Sequence, residues 1–197
     1  MSEELKNTEA TQQEVATTEQ PEVAGALTQS CYDMLHNLIL SITVVMLLLT
    51  FVFRLVNVDG QSMMDTLFDK DRVFVTNLFY EPECGDVVVI SHGQNLYKPI
   101  IKRVIATEGQ SLSIDFATGT VAVDGAILDE PYIKESPFRS GDAEIPEVIP
   151  EGMVFVMGDN RNHSTDSRST TVGLINEDDI IGKAQYVLYP FDRIKKL

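Results

Sequence analysis

The segment that decides the fold is RVFVTNLFYEPECGDVVVIS, residues 72–91. It contains two short runs rich in β-branched and aromatic residues, RVFVTNLF (72–79) and DVVVIS (86–91), with Pro and Gly between them. Runs of this length and composition, bounded by turn-forming residues, predict β-strands. Because the same pattern recurs further along the chain, the sequence predicts an all-β fold, a sandwich or a barrel.

Further strands are predicted at 100–107 (IIKRVIAT), 152–158 (GMVFVMG) and 182–191 (GKAQYVLYPF). The segment 111–128 alternates apolar and polar residues and contains an Asp-Gly pair, which indicates a hairpin. Residues 131–150 are acidic and contain four prolines, so we expect an exposed insertion or loop.

The N-terminal part differs in composition. Residues 1–34 are acidic and poor in large apolar side chains, which predicts a disordered tail. Residues 38–53 (LILSITVVMLLLTFVF) contain no charge. With its flanks, at 35–56, this segment approaches the roughly 20 residues that cross a bilayer. We predict a permanent transmembrane anchor followed by a β domain at 57–197, and a buried core helix is the alternative. A cleaved signal sequence would need a basic region before the apolar run.

Charge and composition exclude several classes of function. The net charge of −15 opposes binding to nucleic acid, and no basic stripe overrides it. Two cysteines and three scattered histidines form no ligand spacing, so we expect no metal and no cofactor. The charges that flank the apolar segment do not decide its orientation, because the N-terminal flank is acidic and Arg54 lies on the other side.

Reactive groups are suggested by two segments. Ser62 lies in VDGQSMMDTLFDKDRVFV (58–75), but a serine hydroxyl needs a base. His92 and His163 lie in polar loops, where exposure is the ordinary expectation. Lys102 is flanked by isoleucines and valines in a predicted strand, and an apolar site would lower its pKa. An edge-strand lysine that blocks aggregation is the alternative.

A third segment, GDNRNHSTDSR at 158–168, places many polar side chains directly after an apolar strand. Loops on a rigid scaffold often carry functional residues. A solvated loop that caps itself through Asx and Ser/Thr turns has the same composition. The segment alone leaves both interpretations open.

Taken together, the three segments resemble the bacterial type I signal peptidases. That family carries the motifs G-x-S-M-x-P-T-L, K-R-V-I-G-x-P-G-D and G-D-N-x-x-x-S-x-D-S-R. This chain has, in the same order and behind an apolar segment, GQSMMDTL, KRVIATEGQ and GDNRNHSTDSR. The family's G-D-x-V segment is matched by residues 85–88, and the resemblance covers residues 35–190. It implies a signal-peptidase-like β-sheet domain with one N-terminal transmembrane helix.

The resemblance also implies a role for each matching residue. Ser62 would be the acylating nucleophile and Lys102 its general base, a Ser/Lys dyad. The implied supporting residues are Ser164, which orients the lysine, the pair Asp166 and Arg168, and Asp159, which pairs with Arg103. The Ser62 backbone N–H would hold the oxyanion. Some relatives add a hydroxyl two residues earlier, but this chain has Gly60 there, so that donor is absent or comes from elsewhere.

The implied activity is removal of signal peptides from secreted preproteins, with small side chains at the first and third positions before the cut. The implied topology is a single-pass membrane protein whose acidic tail is cytoplasmic and whose catalytic domain is extracytoplasmic. Its partners would be preproteins, the lipid bilayer and the secretion machinery. Asp65 departs from the family's proline, and this either loosens the turn after Ser62 or is offset by a bond to nearby backbone.

Two other functions are consistent with parts of the sequence. An inactive, membrane-tethered β domain could bind signal sequences or a translocation partner, and Asp65 is its support. A self-cleaving Ser-Lys regulator would share the dyad, but it would need a DNA-binding module where this chain has an acidic tail.

Overall fold

The computed structural model describes residues 28–48, 53–91 and 98–197. The chain divides into two units, Met1–Leu49 and Thr50–Leu197. In the first unit, helix α1 (Thr28–Leu48) is long and apolar enough to cross a membrane, judged by length and composition alone. Within this helix, the hydroxyls of Ser41 and Thr43 donate to main-chain oxygens four residues earlier.

The observed boundaries differ from the predicted ones. Helix α1 begins at Thr28, inside the segment 1–34 that we expected to be disordered. The rest of that segment, residues 1–27, lies outside the described residues. The anchor was expected to extend to residue 56, but Phe53–Asn57 form a β-strand. The reason is tertiary pairing, because this strand hydrogen-bonds along its whole length to the next strand.

In the second unit, residues 53–91 and 98–197 form eleven strands and two 3₁₀ turns, Glu177–Asp179 and Phe191–Arg193. The strands are β1 (Phe53–Asn57), β2 (Arg72–Thr76), β3 (Val87–Ile90), β4 (Ile100–Ala106), β5 (Leu112–Asp115), β6 (Thr120–Val123), β7 (Ala126–Ile127), β8 (Met153–Met157), β9 (Ile175–Asn176), β10 (Ile180–Tyr189) and β11 (Lys195–Lys196). The predicted all-β class with one N-terminal apolar helix is therefore confirmed.

The strands form one large and one small antiparallel sheet. The large sheet has the order β1-β2-β10-β3-β4-β8-β9, and β11 pairs with β10. The small sheet is β5-β6-β7, which contains the predicted hairpin. The long strand β10 lies between β2 and β3, so a late segment of the chain completes the middle of the large sheet.

Three clusters of buried apolar side chains hold the domain together. The first includes Met63 and Leu67, which come from the connection between β1 and β2 and pack with buried valines of the large sheet. The second lies around β8 and β9, where Val156 is fully buried. The third joins the two sheets, because Ile105 of β4 and Leu112 of β5 belong to it together. The connection between β1 and β2, which carries Ser62, is thus anchored in the core by two residues that follow Ser62 within it.

The segment 131–150 has little regular structure, as expected of a loop, but it is tied to the loop after β8. The main-chain N–H of Lys134 donates to the main-chain carbonyl of Asp159 (3.3 Å), and that of Asp142 donates to the main-chain carbonyl of Arg168 (3.0 Å). Just before this segment, Glu130 forms a buried ion pair with Arg161. The segment therefore supports the loop at 158–168 instead of standing apart from the domain.

Candidate active site

The turn that carries Ser62 connects β1 to β2 and is closed at its base. Val58 N–H donates to the main-chain carbonyl of Asp71 (2.8 Å), and Lys70 N–H donates to the main-chain carbonyl of Val58 (2.9 Å). Within the turn, Leu67 N–H donates to the Met63 carbonyl (2.8 Å), and both side chains are buried in the core. Ser62 is consequently held half-buried beside two fixed core residues.

Lys102 lies in the middle of β4 and faces this turn. Its side chain is only 3% exposed, and its Nζ lies 2.8 Å from Ser62 Oγ. Nζ also donates to the Ile101 carbonyl at 2.9 Å. Because β4 lies between β3 and β8, the alternative of an edge-strand lysine is wrong.

The environment of Lys102 favours the neutral amine. Burial disfavours the charged form and lowers the pKa of Lys102 to about 8, although the carboxylates of Asp166 and Asp159 act in the opposite direction. An amine with this pKa is partly neutral near physiological pH. It can therefore accept a proton from a hydroxyl within hydrogen-bond distance.

Arg103 and Asp159 form a buried ion pair with two hydrogen bonds, Nε to Oδ1 at 2.8 Å and Nη2 to Oδ2 at 2.7 Å. Asp159 also accepts a hydrogen bond from Thr66 Oγ1, and Arg103 donates to the Gly85 carbonyl at 2.6 Å. The guanidinium lies over the Tyr132 ring, 3.8 Å from its centroid. The pair joins β4, the loop after β8 and the Ser62 turn.

Asp166 and Arg168 form a second buried pair. Arg168 donates through Nε and Nη2 to the two carboxylate oxygens, each at 2.8 Å. Asp166 Oδ2 also accepts from Gly158 N–H at 3.0 Å, which closes the loop at 158–168 upon itself. Arg168 further donates to the Arg161 carbonyl at 2.5 Å. This pair fixes the loop without contacting the Ser62 hydroxyl directly.

Ser164 lies near the dyad, but it does not make the expected hydrogen bond. Its Oγ is buried and has no hydrogen-bond partner among the described residues, so the implied bond to Lys102 is not formed. A Cβ atom on residue 158 would lie 2.3 Å from Ser164 Oγ and 2.5 Å from the Ser62 carbonyl oxygen. Because Gly158 has no Cβ, the Ser62 carbonyl oxygen and Ser164 Oγ can both pack against the backbone of residue 158.

Sequence reasoning assigned no role to Gly158 or Asn160, although both lie in the motif that carries Asp159. Asn160 is 2% exposed, and its main-chain N–H donates to the Ser62 carbonyl at 3.0 Å. The signal was the G-D-N start of this motif, in which a glycine and an asparagine flank the acid. No general rule of sequence patterning predicts which backbone groups such residues contact.

A cleft of about 310 Å³ opens beside Ser62 and Lys102. Its walls are largely apolar and include Val58, Met63 and Ile101. Gly60 also lines the cleft, but its N–H donates to Asp69 Oδ1 at 2.9 Å. The position two residues before Ser62 therefore supplies the cleft with neither a hydroxyl nor a free N–H.

The remaining candidates that the structure describes, Asp65 and His163, make no hydrogen bond to Ser62 or Lys102. Asp65 is exposed and makes no hydrogen bond to any described residue, yet the turn around it is fully closed. His163 is exposed, and His92 falls outside the described part of the chain. No group of three or more His, Cys, Asp or Glu side chains within residues 28–48, 53–91 and 98–197 is arranged to hold a metal ion.

Comparison with known proteins places the chain in a family. The sequence profile of the family described as "Signal peptidase, peptidase S26" matches residues 31–189. Signal peptidase I P of Bacillus subtilis subsp. natto is 33% identical over 173 residues, 83% of this chain and 91% of the relative. A probable signal peptidase I-1 of Synechocystis sp. is 36% identical over 167 residues, 79% of this chain and 81% of the relative.

Among solved structures, a crystal structure of a signal peptidase I from Enterococcus faecalis V583 matches with 25% identity and a TM-score of 0.45, covering 53% of this chain and 97% of that chain. The profile match and the two relatives, each above 30% identity over more than three-quarters of the chain, are the decisive findings. The chain therefore belongs to the signal peptidase family, peptidase S26, as a type I signal peptidase and serine endopeptidase.

Proposed function

We propose that this signal peptidase cleaves preproteins with a dyad in which Ser62 is the nucleophile and Lys102 the general base. The observation that carries the proposal is the distance of 2.8 Å between Ser62 Oγ and the Nζ of a lysine that is 3% exposed. A buried lysine is rare unless a specific interaction requires it. Here the burial lowers the pKa, and the hydroxyl is within reach of the amine.

The reaction follows from these two groups. Neutral Lys102 takes the Ser62 proton while Oγ attacks the scissile carbonyl, and the resulting oxyanion is held by the Ser62 N–H. The ammonium of Lys102 then gives its proton to the leaving amine, and an ester to Ser62 remains. Lys102, neutral again, accepts a proton from water as the water attacks the ester. Return of that proton to Ser62 Oγ releases the signal peptide and restores the enzyme.

Ser164 is proposed to complete the orientation of the amine during the reaction, through a hydrogen bond that the structure itself does not contain. A neutral lysine has two N–H donors and one lone pair. The Ile101 carbonyl accepts one N–H, and the lone pair must face the Ser62 hydroxyl for proton transfer. The second N–H then needs an acceptor, and Ser164 Oγ is a buried oxygen whose hydrogen-bonding capacity is unused by the described residues. The two ion pairs, Arg103 with Asp159 and Asp166 with Arg168, hold the surrounding backbone.

The cleft supports a preference for small side chains before the cut. Its walls include Val58 and Met63, which are 6% and 2% exposed and belong to the packed core. Core side chains do not move aside cheaply, so large substrate side chains clash there. Small side chains lose only modest contact energy. This is the chemistry expected for signal peptides with small residues at the first and third positions before the scissile bond.

The proposed location follows from the substrate. Preproteins reach a signal peptidase while their signal segment is in the membrane, so we propose that α1 anchors the enzyme in the same bilayer. The N-terminal tail would be cytoplasmic and the β domain extracytoplasmic, next to the secretion machinery. Because flanking charges give no orientation, a protease-protection assay on sealed membrane vesicles is the direct test of this topology.

The test of the dyad uses the full-length chain in detergent or liposomes with a radiolabelled preprotein. Ser62→Ala and Lys102→Ala should each lower the cleavage rate by at least about 1,000-fold, because each removes a group that takes part in bond formation. Near wild-type cleavage by either variant would contradict the proposal. A folded wild-type chain that never cuts would instead support the tethered binding domain.

Matched controls are available on the surface of the same domain. Ser113→Ala and Lys195→Ala remove the same functional groups from exposed positions on β5 and β11. Both should retain wild-type cleavage. Circular dichroism and thermal unfolding of all four variants would show whether a loss of activity reflects chemistry or loss of the fold.

A further inference from the structure

We infer that Asn160 is a positioning residue that aims and polarises the Ser62 N–H toward the oxyanion, an inference that rests on the proposed role of Ser62. Asn160 donates hydrogen bonds to the carbonyls on both sides of Ser62. Its main-chain N–H donates to the Ser62 oxygen at 3.0 Å, and its Nδ2 donates to the Gln61 oxygen at 3.1 Å. Asn160 itself is 2% exposed, and its side-chain bond to the Gln61 oxygen is partly buried.

The contact to Gln61 matters because of which peptide group it touches. The Gln61 carbonyl and the Ser62 N–H are the two ends of one planar peptide unit. A hydrogen bond to the oxygen therefore fixes the plane in which the N–H points. The same oxygen also accepts from Met64 N–H at 3.2 Å, and two bonds to a carbonyl polarise the N–H at the other end.

The Ser62 N–H is the group that needs this support. It donates to no acceptor within the described residues, so it is available to a substrate oxyanion. Gly60 supplies no hydroxyl, and its own N–H is taken by Asp69. In this turn, the Ser62 N–H is thus the donor on which oxyanion binding relies. Some members of the signal peptidase family would have a hydroxyl as a second donor. The orientation and strength of that single donor then carry more of the catalytic effect.

The orientation of the Asn160 amide is set by chemistry. Exchanging its nitrogen and oxygen would place Oδ1 against the Gln61 oxygen, two acceptors facing each other. In the observed orientation, Asn160 Oδ1 is buried and accepts no hydrogen bond from the described residues. A buried carbonyl without a donor is unfavourable for folding. Stability alone therefore does not explain why asparagine is present at position 160. A residue that serves function at some cost in stability is expected to have this property.

The test compares full-length Asn160→Leu and Asn160→Ala with wild type. Leucine keeps the number of side-chain heavy atoms and removes the amide. We expect kcat to fall roughly tenfold to a hundredfold, because the N–H remains but loses its support. The KM for the preprotein should stay within about twofold, and the pH midpoint of kcat/KM should not move, because Lys102 is untouched. The melting temperature of Asn160→Leu should not fall.

A second readout isolates the oxyanion. A signal-peptide aldehyde forms a tetrahedral adduct with Ser62, whereas the matched peptide alcohol only occupies the cleft. Both Asn160 variants should weaken aldehyde binding by the same factor as kcat and leave alcohol binding unchanged. Asn162→Ala is the matched control, since that side chain bonds Ser136 and Phe138 and not the Ser62 turn.

Each outcome decides the question. Wild-type kcat in Asn160→Leu would overturn the inference, as would an equal loss of aldehyde and alcohol affinity. Loss of the folded state in both variants would also overturn it, because Asn160 would then be structural. Ser62→Ala measured in parallel separates the two levels. If that variant still cuts, the proposed dyad fails; if it is inactive while Asn160→Leu is normal, only this inference fails.

Discussion

The backbone of Gly158 meets the carbonyl oxygen of Ser62 so closely that a Cβ on residue 158 would lie 2.5 Å from that oxygen. Real Cβ atoms do not approach oxygen this closely, so a side chain at 158 must displace the nucleophile turn or the loop after β8. The same Cβ would lie even closer, at 2.3 Å, to Ser164 Oγ. Both contacts are to residues that take part in the proposed reaction, Ser62 and Ser164.

Gly158→Ala should therefore lower the cleavage rate by about a hundredfold, since displacement of a reacting group by about 1 Å has that effect. Gly125→Ala is a suitable control, because its φ is positive (+77°) but nothing lies within 4 Å of the added Cβ. It should lose a little stability and keep full activity. The assay is preprotein cleavage alongside thermal unfolding, and an active Gly158→Ala enzyme would contradict the steric argument.

The rate should depend on pH through Lys102. The neutral amine is the base, and the pKa of Lys102 is lowered to about 8. Hence kcat/KM should rise about tenfold per pH unit below this pKa and level off above it. A profile measured between pH 6 and pH 10 with a short peptide substrate checks this expectation. A midpoint near the ordinary value for histidine, about 6.5, would point to a different base.

Removing the lysine should stabilise the fold at neutral pH. Its pKa is about 8 when folded, against 10.5 for an ordinary lysine, so below pH 8 the folded state carries a buried charge that it disfavours. Lys102→Met removes that penalty but also the bond to the Ile101 carbonyl. We expect the free energy of unfolding to rise by about 1–3 kcal/mol at pH 7.

The gain from Lys102→Met should shrink as the pH rises from 8 toward 10.5, because the folded wild-type protein then holds the amine in its neutral form and no longer buries a charge. Urea unfolding of the two proteins at pH 7 and at pH 10 measures the difference. A gain that is equal at both pH values would show that packing, and not charge, is responsible. The variant should be inactive throughout.

The Arg103 and Asp159 pair should be costly to break from one side. Asp159→Ala leaves a buried guanidinium without its carboxylate and also removes the acceptor of Thr66. A loss of about 3–5 kcal/mol in the free energy of unfolding is expected. The double variant Arg103→Leu, Asp159→Leu should lose less unfolding free energy than the sum of the losses in Arg103→Leu and in Asp159→Leu. Additive losses in this double-mutant cycle would show that the two residues act independently.

Much of the fold could be predicted because it depends on local pattern. The runs at 72–79, 86–91 and 100–107 contain the strands β2, β3 and β4. The apolar neighbours of Lys102 made it a candidate for a buried base, but an exposed lysine on an edge strand stayed possible until the pairing of β4 was known. The family resemblance is confirmed by the comparisons. The roles of Ser62 and Lys102 remain proposals, supported by the distance between them.

What could not be predicted depends on contacts between distant segments. The sequence did not predict strand β1 at residues 53–57, because this strand is defined by pairing with β2, not by its own apolar residues. The support that residues 134–142 give to the loop at 158–168 arises from backbone hydrogen bonds, which leave no mark on composition. Asn160 was overlooked for the same reason, since its partners are main-chain carbonyls near Ser62.

The position of β10 has a consequence for the newly made chain. This strand is formed by residues 180–189, close to the C-terminal end of the sequence, yet it fills the gap between β2 and β3. A growing chain that reaches only residue 150 lacks both this strand and the loop at 158–168, whose Asn160 hydrogen-bonds to the Ser62 turn. We therefore expect a fragment of this kind to cleave no preprotein, so that activity would begin only after β10 has been made.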